Sequence, residues 1–334
     1  MQAAQLMKYD KNFKLVVKDI SMPTPNENEV LVKVKVAAVN PLEMLIGTGS
    51  VKLIQDYDKP LTMGNELSGV IESVGKNVDN FNIGDEIYSR LPLTKIGAFA
   101  EYVAIDYRAI ALKPKNLDFV HSAAVPLTGL TAYQGLTEEL QAQAGQSVMI
   151  PGGSGSFGQM AIPIAKELGL KVMVSGNARA EQSALDMGVD RYFYYRKDNY
   201  WEHLKNVDYV IDTIGSKKEF AHELQILKPQ GRVLSLRMGP NRQFAKDRHL
   251  SFLKTTLFTI AGSSIDKQAR KLDADYRFIF VRSDGEQLKK ITKIVETNNI
   301  KPAVDPTEFK LSDINEALNY VATGHPKGKV VIKF

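Results

Sequence analysis

From Val30 to Val39 the chain reads VLVKVKVAAV, apolar residues alternating with lysine before the run turns uniformly apolar. Alternation with period two predicts a β-strand that passes from a half-exposed to a buried setting. Ser68–Val74, Gly84–Tyr88, Phe99–Ile105 and Ala109–Leu112 read as further short strands separated by turn residues. Short strands at such spacing suit a partly open β-barrel. After Pro114 the pattern changes. Residues 122–136 read as helical, and Ser147 begins an alternation of strand and helix. Strands are predicted at Val148–Ile150, Lys171–Val174, Arg191–Tyr195, Val207–Asp212, Arg232–Leu236 and Leu257–Ala261, with helices at Gly158–Leu168 and Ala178–Met187. Alternation of this kind predicts a doubly wound parallel sheet, so the fold class is α/β. Helices near Gly285–Glu296 and Ser312–Thr323 and a final strand, Lys329–Phe334, complete the chain.

One turn in this pattern carries chemistry. The strand ending at Ile150 runs into Pro151-Gly152-Gly153-Ser154-Gly155-Ser156-Phe157-Gly158 and then into a helix. Gly153, Gly155 and Gly158 fit G-x-G-x-x-G, in the strand–turn–helix setting that a dinucleotide needs. Glycines allow the sharp turn and the close approach of a pyrophosphate, which the helix N-terminus then stabilises. A purely structural glycine turn is the alternative. A Walker loop would end in Gly-Lys-Ser/Thr, and a nucleophile elbow would carry Gly two residues after Ser154; neither holds here. Pro163 lies inside the following helix, where it should kink it or remove a hydrogen bond.

The end of the second strand bears on cofactor choice. An NAD-binding unit places an acid there, about 20 residues past the glycines, to hold the ribose hydroxyls. This chain has Val174-Ser175-Gly176-Asn177-Ala178-Arg179 and no acid before Glu181. Ser175 and Arg179 instead suit a 2′-phosphate, through a hydroxyl and a guanidinium, and Gly176 is a further cofactor-binding candidate. The expected cofactor is NADPH.

Composition narrows the field. At roughly 150 residues per domain, the 334 residues suggest two domains. The chain has no cysteine, which excludes disulfides, thiolate catalysis and cysteine-ligated zinc. A formal charge of +5 is mildly basic and dispersed, and no nucleic-acid motif accompanies it. No apolar run approaches the ~18 residues of a membrane span, and no secretory signal is visible at the N-terminus, so a cytoplasmic protein is expected.

Ordered landmarks extend along nearly the whole chain: Ala38-Val39-Asn40-Pro41; Pro60 to Val70 with Gly64-Asn65-Glu66; Gly84-Asp85-Glu86; Gly97-Ala98-Phe99-Ala100-Glu101-Tyr102; Pro126 to Tyr133; the glycine turn; Leu227 to Arg232; and Gly324-His325-Pro326-Lys327-Gly328-Lys329. Together they resemble the medium-chain dehydrogenase/reductase superfamily, in its zinc-independent, quinone oxidoreductase-like branch. The resemblance implies a GroES-like partly open β-barrel domain, residues 1–122 and 265–334, with an inserted Rossmann domain, residues 123–264. It implies that Asn40 and Thr128 line the nicotinamide and that Tyr195 packs near the 2′-phosphate. It also implies that Phe280, within Tyr276–Val281, covers the nicotinamide, and that His325 and Lys327 belong to a C-terminal loop reaching the cofactor. Zinc-binding members have histidine where this chain has Asn65, so no zinc is expected. Glu43 stands where an aspartate is usual. The implied activity is NADPH-dependent hydride transfer to a small-molecule quinone or an α,β-unsaturated carbonyl. A conjugated acceptor spreads the developing charge and so needs less polarisation than a simple ketone. No general acid is identified, and Tyr57, after Gly49, is a candidate through the resemblance alone. Leu257–Ala261 is expected to be an edge strand that pairs two copies into a homodimer. The alternatives are a non-catalytic NADPH-binding sensor or structural protein of the same fold, and a nucleic-acid binder using the basic surface.

Overall fold

The computed structural model describes residues 1–324 and 326–334. The chain forms two compact units, Met1–Leu130 with Arg282–Phe334, and Thr131–Val281. The first begins with β1 (Gln2–Leu6), β2 (Leu15–Asp19), β3 (Glu29–Val39), α1 (Pro41–Gly47), β4 (Leu61–Thr62), β5 (Glu66–Val74), β6 (Glu86–Arg90), β7 (Tyr102–Asp106), β8 (Ile110–Leu112) and α2 (Phe119–Ala123). The alternating run Val30–Val39 forms most of β3. Lys33 is exposed and Lys35 half-buried between buried valines, and Val36–Val39 are buried throughout. One edge of β3 is shared, because Glu29–Lys33 pair with β7 and β5 lies along the opposite edge.

The chain leaves this unit through α3 (Pro126–Gln134). The second unit follows with β9 (Ser147–Ile150), α4 (Ser156–Glu167), β10 (Lys171–Gly176), α5 (Glu181–Asp186), β11 (Arg191–Tyr194), α6 (Tyr200–His203), β12 (Val207–Asp212), α7 (Lys217–Ile226), β13 (Leu227–Ser235), α8 (Arg242–Asp247), α9 (Phe252–Lys271) and β14 (Asp275–Phe278). Its six strands are parallel, in the order β11-β10-β9-β12-β13-β14. The first strand is central and the winding reverses between β9 and β12. That reversal leaves a crevice beyond the carboxyl ends of the strands, the place where open α/β sheets bind ligands. Met149, Phe193, Val210, Phe220, Val233 and Tyr276 belong to one core cluster here. The helix α4 runs on through Pro163.

One predicted strand is wrong. Leu257–Ala261 lies inside α9, whose N-terminus is capped by the Ser251 hydroxyl accepting from Lys254 N–H. Thr, Phe and Ile favour strands, but a five-residue apolar run does not separate strand from buried helix. The end strand of the sheet is β14, further along the chain. The second unit accordingly extends to Val281, whereas the sequence reading ended it near residue 264. The chain then returns to the first unit with α10 (Gly285–Thr297), β15 (Phe309–Lys310), α11 (Ile314–Thr323) and β16 (Val330–Lys333). In that return β16 pairs with Val36–Val39 of β3, beside the β7 segment. Among the described residues no helix is long and apolar enough to cross a membrane.

Candidate active site and cofactor cleft

In the second unit the glycine turn follows β9 directly. Gly152 has φ +69°, and a Cβ there would stand 2.6 Å from Thr213 Oγ1. A Cβ on Gly158 would fall 1.8 Å from the carbonyl oxygen of Gly153, so turn and helix pack backbone to backbone. Gly153 is closed in as well, its Cβ position 2.9 Å from Val174 Cγ1. Gly155 differs, with nothing within 4 Å of its Cβ position. It caps α4 with extended backbone, and the first backbone donor of the turn is taken at Gln159, whose N–H bonds to Gly155 O at 3.2 Å. The N–H groups of Ser156, Phe157 and Gly158 therefore stay available at a helix N-terminus, the arrangement that suits a phosphate.

A cleft of about 400 Å³ opens from this turn across the ends of β10, β11 and β12, with Ser154, Gly176, Asn177, Tyr195, Trp201 and Ile214 in its walls. The residues fit a dinucleotide: a glycine backbone, an uncapped helix end and aromatic walls. Ser175 also lines it but is 3% exposed, and its hydroxyl accepts from Gly152 N–H at 3.3 Å. Asn177, which sequence reasoning passed over, is exposed and donates its side-chain amide to Ser154 Oγ at 3.2 Å. Its Oδ1 caps the turn carrying Arg179. The Arg179 side chain is exposed and has no partner among the described residues. Tyr195 is 55% exposed, and its phenol oxygen accepts from Arg196 Nε at 3.0 Å. Trp201 stacks on His222 with ring centroids 3.7 Å apart. Beneath the cleft, Asp212 Oδ1 accepts from Ile214 and Gly215 N–H, both at 2.8 Å, and so shapes the loop after β12. Burial, and then the neighbouring Asp212 carboxylate, push the buried Glu223 carboxyl well above its usual range. Phe280 is buried within the same unit, its carbonyl accepting from the Arg248 guanidinium.

The first unit holds a buried polar network at the junction of β3, α1, β5 and β16. Asn40 is 3% exposed; its Nδ2 donates to Glu66 Oε1 at 2.9 Å and its Oδ1 accepts from Lys329 Nζ at 2.6 Å. Glu66 Oε2 accepts from Leu127 N–H at 2.7 Å. Glu43 accepts from Asn40 N–H at 2.7 Å and from Asn65 Nδ2 at 2.8 Å. Burial pushes the Glu43 carboxyl up to about 7, against the lowering effect of those two donors. Two groups nearby are buried without a hydrogen-bond partner among the described residues, Asn65 Oδ1 and the Tyr57 hydroxyl. Thr128 is half-buried, with its hydroxyl donating to Ala124 O at 3.1 Å. Lys327 is exposed, and its backbone N–H donates to Asp305 Oδ2 at 2.7 Å. His325 lies outside the described residues. Sequence reasoning quoted Glu66 and Lys329 within its landmarks but named neither as a site residue, because nothing local shows that the two meet.

These residues do not fit a zinc ion. The position next to Glu66 is taken by an ammonium group, Asn65 offers an amide, and among the described residues no three His, Asp or Glu side chains group as metal ligands.

A nucleotide crevice at the switch point of a parallel sheet, with a β-rich unit completing the chain, is the architecture of a dinucleotide-dependent dehydrogenase. The chain belongs to the medium-chain dehydrogenase/reductase superfamily. Residues 26–115 match the alcohol dehydrogenase GroES-like domain family and residues 187–332 the zinc-binding dehydrogenase family. The NADPH-dependent alkenal/one oxidoreductase of Arabidopsis thaliana is 31% identical over 94% of this chain and 74% of its own length. The human quinone oxidoreductase is 31% identical over 77% of this chain and 80% of its own. The solved quinone oxidoreductase of Coxiella burnetii superimposes with a TM-score of 0.80 at 25% identity, covering 100% of this chain and 99% of the other.

Proposed function

We propose that the protein is an NADPH-dependent reductase of quinones or α,β-unsaturated carbonyls that works without zinc. The observation that carries this reading is the cleft beyond β9, lined by Gly152 and Ser154 of the glycine turn, which leads through the unobstructed Gly155 into the uncapped N-terminus of α4. Relatives named as alkenal/one and quinone oxidoreductases support the substrate class. When bound, NADPH supplies a hydride, and reduction of either acceptor consumes that hydride and one proton. Gly153–Gly158 would hold the pyrophosphate, and Asn177, Arg179 and Tyr195 would supply contacts to the 2′-phosphate. On the family resemblance, Asn40, Thr128 and Lys327 in the first unit and Phe280 in the second are each read as contacts of the cofactor. The Tyr57 hydroxyl, buried and without a partner among the described residues, is the candidate donor to the acceptor oxygen as charge develops on it. The reading is tested by following NADPH oxidation at 340 nm with a panel of quinones and enones. Tight NADPH binding with no acceptor reduced would favour a sensor.

Cofactor choice is checked on the same protein. Trp201 is the single tryptophan and lines the cleft, so its fluorescence should report binding directly. Arg179→Ala should weaken NADPH by about 1–3 kcal/mol, as for a charge-assisted hydrogen bond, and leave NADH nearly unchanged. Equal affinity of the unmodified protein for the two cofactors would contradict the reading.

We further read the protein as a cytoplasmic homodimer. The outer edge of β14 has no partner strand among the described residues. On α9, Leu253, Leu257 and Ile260 are 68%, 40% and 67% exposed, on the face opposite the buried Phe258 and Gly262. An open edge beside an apolar helix face is an aggregation hazard unless a second copy covers it. Ile260→Asp should lower the mass seen by light scattering from twice 37.1 kDa toward 37.1 kDa. Phe258 is no test, because it packs on Phe244 in the core. A monomer at every concentration in the unmodified protein would end the dimer reading. Cell fractionation against organelle fractions tests the location.

A further inference from the structure

Three side chains from distant parts of the chain close a triangle in the first unit. Lys329 Nζ lies 2.8 Å from Glu66 Oε1 and 2.6 Å from Asn40 Oδ1, and Asn40 Nδ2 lies 2.9 Å from the same Glu66 oxygen. Lys329 is 5% exposed, Asn40 3% and Glu66 not at all. A buried ammonium–carboxylate pair is a poor source of stability. Removing both charges from water costs about what their attraction returns, and a well-packed apolar pair of similar volume serves as well or better. Orientation is what the pair contributes.

An asparagine amide has nearly the same shape either way round, and only its hydrogen bonds decide between the two. An ammonium can only donate and a carboxylate can only accept. Oδ1 must therefore face Lys329 and Nδ2 must face Glu66. The flipped amide would set N–H against ammonium and C=O against carboxylate. Glu66 is itself held by Leu127 N–H, and the Asn40 backbone by the Glu43 carboxylate. Asn40 has no orientational freedom left, at the residue where β3 passes into α1.

We propose that Lys329 and Glu66 are positioning residues for the reduction, acting through the Asn40 amide. This rests on the reductase reading, in which Asn40 is a contact of the cofactor. The pair fixes which way the amide faces, and neither Lys329 nor Glu66 is itself read as a contact of the cofactor or the acceptor.

The test is a double variant, Lys329→Met with Glu66→Met, which exchanges the ion pair for apolar chains of similar length. Because the Asn40 amide loses its buried partners and the Leu127 N–H loses its bond to Glu66, the variant's melting temperature should fall by several degrees, with the protein still folded at about 25 °C. Turnover should fall about tenfold or more, as expected when a reacting group is loosely placed. NADPH affinity, read from Trp201 fluorescence, should change by less than about threefold, because the second unit's contacts are untouched. Asn40→Ala should cost about tenfold in turnover in the unmodified protein and less than about threefold in the double variant. A packing role alone would leave the two losses additive. Full turnover in the folded double variant, or additive losses, overturns the proposal. Should the double variant not fold, Glu66→Gln removes the charge at constant shape, and the same drop in turnover is expected; full turnover there overturns the proposal equally. If Asn40→Ala leaves turnover intact while quinones or enones are still reduced, the positioning role fails and the reductase reading stands. If no acceptor is reduced by the unmodified protein, both fall.

Discussion

Gly155→Ala should leave the fold standing and strip the protein of NADPH, whereas Gly158→Ala should damage both. The two glycines lie three residues apart in one turn, and their surroundings differ. A methyl group on Gly155 meets nothing within 4 Å, and its φ of −91° is comfortable for alanine. The cost to the free protein is limited to the small difference between Gly and Ala at a helix N-cap, about 1 kcal/mol or less. That open space is where the backbone must come close to a pyrophosphate, so the same methyl group should weaken NADPH by about a hundredfold. At Gly158 the methyl carbon would fall 1.8 Å from the Gly153 carbonyl oxygen, a backbone atom that cannot swing aside. The turn must then separate from α4, lowering the melting temperature and removing the phosphate cradle together. Thermal melts and Trp201 fluorescence titrations distinguish the two outcomes. Unchanged NADPH affinity in Gly155→Ala would mean that the pyrophosphate does not approach this turn.

Tyr57→Phe should slow turnover sharply without weakening the protein. The phenol oxygen is buried with no partner among the described residues, and the whole residue is only 7% exposed. An unsatisfied buried hydroxyl costs about 1–3 kcal/mol, so its removal should leave the melting temperature unchanged or raise it. The loop keeps the group in place regardless. Tyr9 Oη accepts from Tyr57 N–H at 3.0 Å and donates to Asp56 Oδ1 at 2.8 Å, while the Lys59 ammonium sits 3.5 Å over the Tyr9 ring. Burial pushes the Tyr57 phenol up to about 12, so it remains a proton-bearing donor through neutral and mildly alkaline pH. Losing one donor to a developing oxyanion typically costs about a hundredfold in turnover. Steady-state rates with a quinone and an enone, set beside thermal melts, check both halves. A variant with full turnover would assign the oxygen's partner elsewhere, and a variant with a sharply lowered melting temperature would mean that the hydroxyl is structural.

The Rossmann half was legible because its signals are local. A strand, a glycine turn and a helix follow one another within twenty or so residues, and Val207–Asp212 ends in the structure where the alternation of the sequence ends it. Residues 257–261 were misread for an equally local reason, since Thr, Phe and Ile carry strand propensity while the helix is fixed by the Ser251 cap and by packing of Phe258 on Phe244. Ser175 shows a finer limit. The residue type suits a phosphate, but at the end of β10 the hydroxyl accepts from Gly152 N–H, and no pattern in one strand reveals that. The network around Asn40 was legible only as separate landmarks and not as one cluster. Its decisive contact joins residues 289 positions apart, and a lysine before a C-terminal strand reads as ordinary surface charge until the fold buries it.

The absence of cysteine from all 334 residues acquires a different meaning once the acceptors are quinones and enones. Such compounds are soft electrophiles, and the thiolate is the protein nucleophile that adds to them most readily. An enzyme that concentrates Michael acceptors in its own cleft exposes its surface to arylation at every encounter. This chain offers them no sulfhydryl to capture. Prolonged turnover at high acceptor concentration should therefore leave no cysteine thioether on the catalyst and confine any adducts to the slower amine and imidazole nucleophiles.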